Sequence, residues 1–197
     1  LAQALEVDPD VLSAVEIAGA GFINFRLAPA WLAQNVRRIL LDPDDYGRSP
    51  AGAGEKILIE YVSANPTGPL NVVSARAASI GDSLIRILNA AGYRASGEFY
   101  ANDRGLQAEL FGASIRTRFA ERLGVTAPPI PEEGYRGEYV SELAAARDES
   151  QGREWLDLPE REQRGHFGAW GIDRMLERQQ ADLGRFGAHM DRWFRES

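Results

Sequence analysis

The run 57–92, which reads as strand, loop and helix in immediate succession, constrains this chain most. Residues 57–62 are apolar and β-branched with a single acid, Glu60, which suits a strand buried on both faces of a parallel sheet. Residues 63–73 read as a loop punctuated by Pro66, Gly68 and Pro69. A helix follows, with Ile80, Leu84, Ile87, Leu88 and Ala91 on one face and Gly92 as its stop. This succession is the first unit of a nucleotide-binding α/β sheet. Ligands of such sheets lie at the carboxyl ends of the strands, against the N-terminus of the next helix.

Around that unit the pattern predicts a smaller N-terminal domain over 1–52 and an α/β domain over 53–197, with the Asp-, Pro- and Gly-rich stretch 42–56 as the linker. Residues 1–12 have helical spacing, with Asp8 as a cap and Pro9 in the first turn. Residues 15–18 and 22–27 read as two short strands. Phe22, Asn24 and Arg26 share one face, and Ile23, Phe25 and Leu27 form the core face. Pro29 opens a helix that runs to Leu41. Further on, 93–100 is a strand and 106–123 a helix with Leu110, Phe111, Ile115, Phe119 and Leu123 inward. Residues 125–134 are a loop, 135–148 are helical, and a long helix spans about 159–183.

Composition narrows the function classes. There is no cysteine, so disulfides and Cys-based metal sites are excluded, and His166 and His189 stand without metal spacing. No protein-bound metal is expected. No apolar run approaches a membrane span and no signal peptide is visible. A net charge of −7 argues against an unspecific nucleic-acid coat but not against a local basic face. Lys56 is the sole lysine.

The wording of the central loop is specific. Glu60-x-x-x-x-Asn65-Pro66-Thr67-Gly68-Pro69-Leu70, followed by Ala75-Arg76 and Gly81-Asp82, resembles the first signature of arginyl-tRNA synthetase, a class I aminoacyl-tRNA synthetase. VEIAGAGFINFRLAPAW (15–31) resembles the family's N-terminal domain, and FYANDRGLQ (99–107) its second catalytic strand and turn. DLGRFGAHMDRWFRE (182–196) resembles the segment after the family's first insertion. The fold class implied is α/β: an N-terminal α+β tRNA-binding domain, then the first half of a Rossmann-like parallel-sheet domain with a helical insertion. The start at Leu1 and the stop at Ser197 read as those of a fragment.

The resemblance implies an arginine–tRNA ligase that uses ATP with Mg2+, arginine and tRNA(Arg), works in the cytoplasm and is a monomer. Glu60 and Asn65 match residues that hold the substrate arginine, with Ser63 at the rim. A buried carboxylate needs a cation, and a guanidinium pairs with it bidentately; an internal pairing of Glu60 with Arg76 is the competing reading. Pro66, Gly68, Asn71, Val73 and Ser74 face ATP, with Asn71 and Ser74 as the catalytic donors. They stand in the family's His-x-Gly-His frame, here Asn71-Val72-Val73-Ser74, so both histidines and the glycine are replaced. Asn71 and Ser74 can donate but cannot be positive, and Val73 puts a side chain where the nucleotide base would lie flat on the backbone. Asp103 and Gln107 shape the active-site wall, or simply a hydrogen-bonded turn and cap. Phe22 stacks on a tRNA base and Asn24 bonds one, against the plainer reading of an ordinary surface strand. The family's second, lysine-containing loop has no counterpart after Lys56. The competing functional reading is a non-catalytic synthetase paralogue that binds tRNA or arginine without activating it.

Overall fold

The computed structural model describes residues 5–197, and the chain divides into two compact units, 1–49 and 50–197. In the first, β1 (Leu12–Ala18) and β2 (Phe22–Leu27) form an antiparallel pair in which Ile17 faces Ile23 and Val15 faces Phe25. α1 (Pro29–Leu41) follows with Pro29 in its first turn, where the missing N–H costs nothing. The expected helix over 1–12 lies partly outside the described residues. Within them, the Asp8 carboxylate accepts the Asp10 N–H at 2.9 Å and the Asp8 carbonyl accepts from Val11 and Leu12, so Asp8 caps a turn that feeds β1. The expected core face is open as well. Ile23 is half-buried, Phe25 and Leu27 are exposed, and no residue of α1 is buried. A two-stranded sheet has too little area to cover its own apolar face.

The second unit is built on β3 (Lys56–Glu60), α2 (Val72–Ala90) and β4 (Arg94–Ala101), a strand–helix–strand crossover with parallel strands. Four helices intervene before the last strand: α3 (Leu106–Leu123), α4 (Glu138–Ala146), α5 (Glu149–Leu156) and α6 (Glu160–Phe186). β5 (Arg192–Arg195) then pairs parallel with β4, giving the order β3-β4-β5. α5 and β5 are short elements that the periodicity did not show.

The core lies between the sheet and the inserted helices. Phe99 of β4 stacks on Trp193 of β5 at 4.2 Å, and Phe111, Ile115 and Phe119 of α3 meet Phe167, Ile172 and Met175 of α6. α3 and α6 approach to backbone distance at Gly112, where a Cβ would come 2.0 Å from the Arg164 carbonyl oxygen. β3 differs from expectation. It is an edge strand with Leu58 exposed, not a strand buried on both faces. α2 also turns a different face inward. Ser74, Ala78 and Gly81 are buried, whereas Ile80, Leu84 and Ile87 are exposed. Gly81 sits against the Tyr61 ring, so the small stripe allows the closest approach and sets the rotation of the helix. None of the described helices is long and apolar enough to cross a membrane.

Candidate functional site

β3 ends at Glu60, and the chain then turns sharply through Val62 and Ser63, at φ 67° and 39°. A β-branched residue in the left-handed region is strained by ~1–3 kcal/mol. The turn is held by the Ser63 hydroxyl, which accepts the Tyr100 N–H of β4 at 3.1 Å. The loop beyond runs with Pro66 and Thr67 buried and Asn65 exposed. The Asn65 amide donates to the Gln107 carboxamide oxygen at 2.7 Å, so the expected arginine ligand and the expected wall residue meet directly. Gln107 lies in the first turn of α3, which begins without a side-chain cap.

Glu60 is exposed and forms no ion pair with Arg76 or any other cation among the described residues. The buried carboxylate inferred from the sequence is therefore an accessible one, because its strand lies at the sheet edge. Burial, then the carboxylates of Glu196, Asp103 and Glu60, push the Tyr100 phenol above its ordinary pKa. Three acids thus act on one tyrosine near the carboxyl end of β4. Asp103 is engaged on both oxygens, accepting the Ser197 N–H at 3.0 Å and the Ser197 hydroxyl at 2.7 Å. Tyr100 and Glu196 escaped the sequence reading; an aromatic followed by Asn102 and Asp103 at a strand end was the signal available.

The N-terminus of α2 is closed by the chain itself. Asn71 Oδ1 accepts the N–H groups of Val73 (2.9 Å) and Ser74 (3.2 Å), and Ser74 Oγ accepts the Asn71 N–H at 3.4 Å. This reciprocal cap takes up donors that a phosphate could otherwise meet. Ser74 is buried, Val72 and Val73 are exposed, and Asn71 Nδ2 keeps its donors free of the described residues. Gly68 lies in the loop below Tyr139, whose hydroxyl donates to the Thr67 carbonyl at 2.9 Å. In the first unit, Phe22 and Asn24 are both exposed on one face of β2, beside an exposed Arg26–Glu16 ion pair at 3.0 Å. No cluster of three potential metal ligands occurs among the described residues.

No family model matches the chain. Curated relatives do. An arginine–tRNA ligase of Solidesulfovibrio magneticus is 43% identical over 197 residues, covering the whole of this chain and 35% of that protein. One of Shouchella clausii is 40% identical over 183 residues, 93% of this chain and 33% of its own length. One of Frankia alni is 44% identical over 186 residues, 94% and 32%. Among solved structures, a Campylobacter jejuni protein described as an arginyl-tRNA synthetase superposes with a TM-score of 0.76 at 33% identity, over 86% of this chain and 37% of its own. The Thermus thermophilus arginyl-tRNA synthetase has a TM-score of 0.56 at 23% identity over 99% of this chain and 31% of its own, a likeness of fold. This chain spans about a third of the length of the curated relatives it matches.

Proposed function

We propose, from the premise that the chain belongs with the arginyl-tRNA synthetases in sequence and fold, that it carries the arginine pocket and a tRNA-contacting face of an arginine–tRNA ligase. The observations that carry this reading are the exposed carboxylate of Glu60 at the end of β3, unpaired among the described residues, and the Asn65–Gln107 hydrogen bond in the loop that follows that strand. An accessible carboxylate suits a guanidinium, which takes it with two parallel N–H donors. Ser63 stands at the rim, and Asp103 and Gln107 form the wall.

The reaction proposed is adenylate formation followed by transfer. An arginine carboxylate oxygen attacks the α-phosphorus of ATP, the bond to the β-phosphate bridging oxygen breaks, and pyrophosphate leaves. A ribose hydroxyl of tRNA(Arg) then attacks the activated carbonyl carbon, loses its proton and expels AMP. Mg2+ enters with ATP and offsets phosphate charge. Asn71 Nδ2 is a donor free of the described residues that can meet a phosphate; Ser74 supports it through the cap, and Pro66, Gly68 and Val73 border the nucleotide. Both capping residues are uncharged, so stabilisation of phosphate charge is weaker here than an imidazole would supply. Phe22 and Asn24 contact tRNA, and the cytoplasm is the setting.

Calorimetric titration with arginine tests the reading. Glu60→Gln keeps the shape and removes the charge, and it should weaken arginine binding at least about tenfold. Citrulline, which lacks the positive charge, should not bind. Equal binding of arginine by the variant and the parent would overturn the assignment of Glu60.

A further inference from the structure

The loop of the proposed site is held from behind by two side chains of the helical insertion. Gln179 of α6 is fully buried, and its Nε2 donates to the carbonyls of Gly68 (2.9 Å) and Asn65 (3.3 Å). The Tyr139 hydroxyl of α4 donates to the Thr67 carbonyl between them, at 2.9 Å. Three carbonyls within four residues are thus tied to helices that lie 72 to 114 positions further along the chain.

Packing alone gives no reason for Gln179. It occupies the apolar stripe of α6 that contains Ile172, Met175, Leu176 and Leu183, all buried. Its own Oε1 is buried without a partner, a cost that an aliphatic side chain would avoid. A buried amide that keeps only its donors satisfied is suited to specifying a conformation, at some expense in stability. The loop needs such a hold, because it leaves β3 through the strained Val62 and Ser63. With carbonyls 65, 67 and 68 turned inward, the Asn65 side chain is left outward, against Gln107.

We propose that Gln179 and Tyr139 are positioning residues for the arginine site: they fix the 65–68 backbone so that Asn65 is presented to the ligand, which makes the helical insertion part of that site. The proposal rests on the arginine reading above for its ligand, and on the observed hydrogen bonds for its mechanism.

The test uses this chain with Gln179→Met, which preserves size and removes both donors, and Tyr139→Phe, which removes only a hydroxyl. Two readouts are needed. The first is the NMR signal of the Asn65 side-chain amide, which requires no ligand. Both variants should shift it, with the thermal midpoint of Tyr139→Phe nearly unchanged. The second is arginine affinity in a double-mutant cycle. Each substitution should weaken binding about three- to tenfold in the parent and by less than about twofold in an Asn65→Ala background, since its effect runs through Asn65. Unmoved Asn65 amide signals in a folded Tyr139→Phe protein would overturn the proposal, even if Gln179→Met fails to fold. So would equal losses with and without Asn65. Shifted amide signals in a parent that binds no arginine would retain the bracing and remove the ligand assignment instead.

Discussion

α2 and the α3–α6 pair both carry large apolar residues, yet they bury different kinds of residue. Along α3, Phe111, Ile115 and Phe119 are fully buried, and α6 meets them with Phe167, Ile172 and Met175. Along α2, the buried positions are Ser74, Ala78 and Gly81, while Ile80, Leu84 and Ile87 face outward. The difference lies in where backbones come together. In α3 the glycine at the crossing sits on the same side as the large apolar residues, so close approach and burial coincide. In α2 the small residues lie on another side from the aliphatic stripe, and the approach to Tyr61 wins. An apolar stripe identifies a face that is costly to expose, and only the partner determines whether it is covered.

The sharpest way to break this comparison is at the α3–α6 crossing. Gly112→Val would drive its side chain into the Arg164 carbonyl and the Gly168 N–H, both backbone atoms that cannot rotate away. A loss of about 3 kcal/mol or more is expected in denaturant unfolding. A loss below about 1 kcal/mol would mean that the two helices can separate freely. Gly81→Ala tests the other helix. Its Cβ would come 2.3 Å from the Tyr61 ring, which must shift and strain the hydroxyl bond to the His189 carbonyl (2.8 Å). A ring yields more readily than a backbone, so the expected cost is about 1–3 kcal/mol. If Gly81→Ala proves the more damaging of the two, the proposed ordering is wrong.

A smaller effect concerns pH. Asp82 on α2 accepts from Arg86 and from the His189 N–H, and those interactions, the Arg86 hydrogen bond foremost, hold its pKa below the ordinary carboxylate value despite partial burial. A depressed carboxylate pKa contributes stability above the unfolded-state value, near pH 4, and that contribution is lost as pH falls through the folded value. Asp82→Asn should therefore flatten the acid limb of the stability curve and leave the limb above about pH 6 parallel to that of the parent. An unchanged acid limb would show that the contact between α2 and residues 187–189 does not depend on this charge. The smallest effect belongs to the exposed stripe. Ile87→Ser, at a residue 64% exposed, should change the unfolding free energy by no more than about 0.5 kcal/mol. A loss several times larger would show that this face is covered in solution.

Much of the fold was legible without coordinates. Pro29–Leu41 and Leu106–Leu123 follow their start and stop signals to the residue, because a proline in the first turn and a glycine after the last act locally. α5 and β5 were not legible, since eight- and four-residue elements carry too few periods to separate from a loop. Of the site, only the loop itself could be approached from the wording of the motif. The Asn65–Gln107 bond, the Tyr100 surroundings and the bonds from Tyr139 and Gln179 could not, because they join residues dozens of positions apart.

The sequence by itself determined the strand–loop–helix unit and the residues of its loop, with Asn71 and Ser74 at the start of the helix. These follow from residue type and spacing along a few turns of chain. Only the tertiary structure decided that Glu60 is accessible and that an inserted helix grips the loop through Gln179. Exposure and hydrogen-bond partnership depend on which distant segments arrive beside a residue. That is settled by the packing of the whole unit, not by local preference.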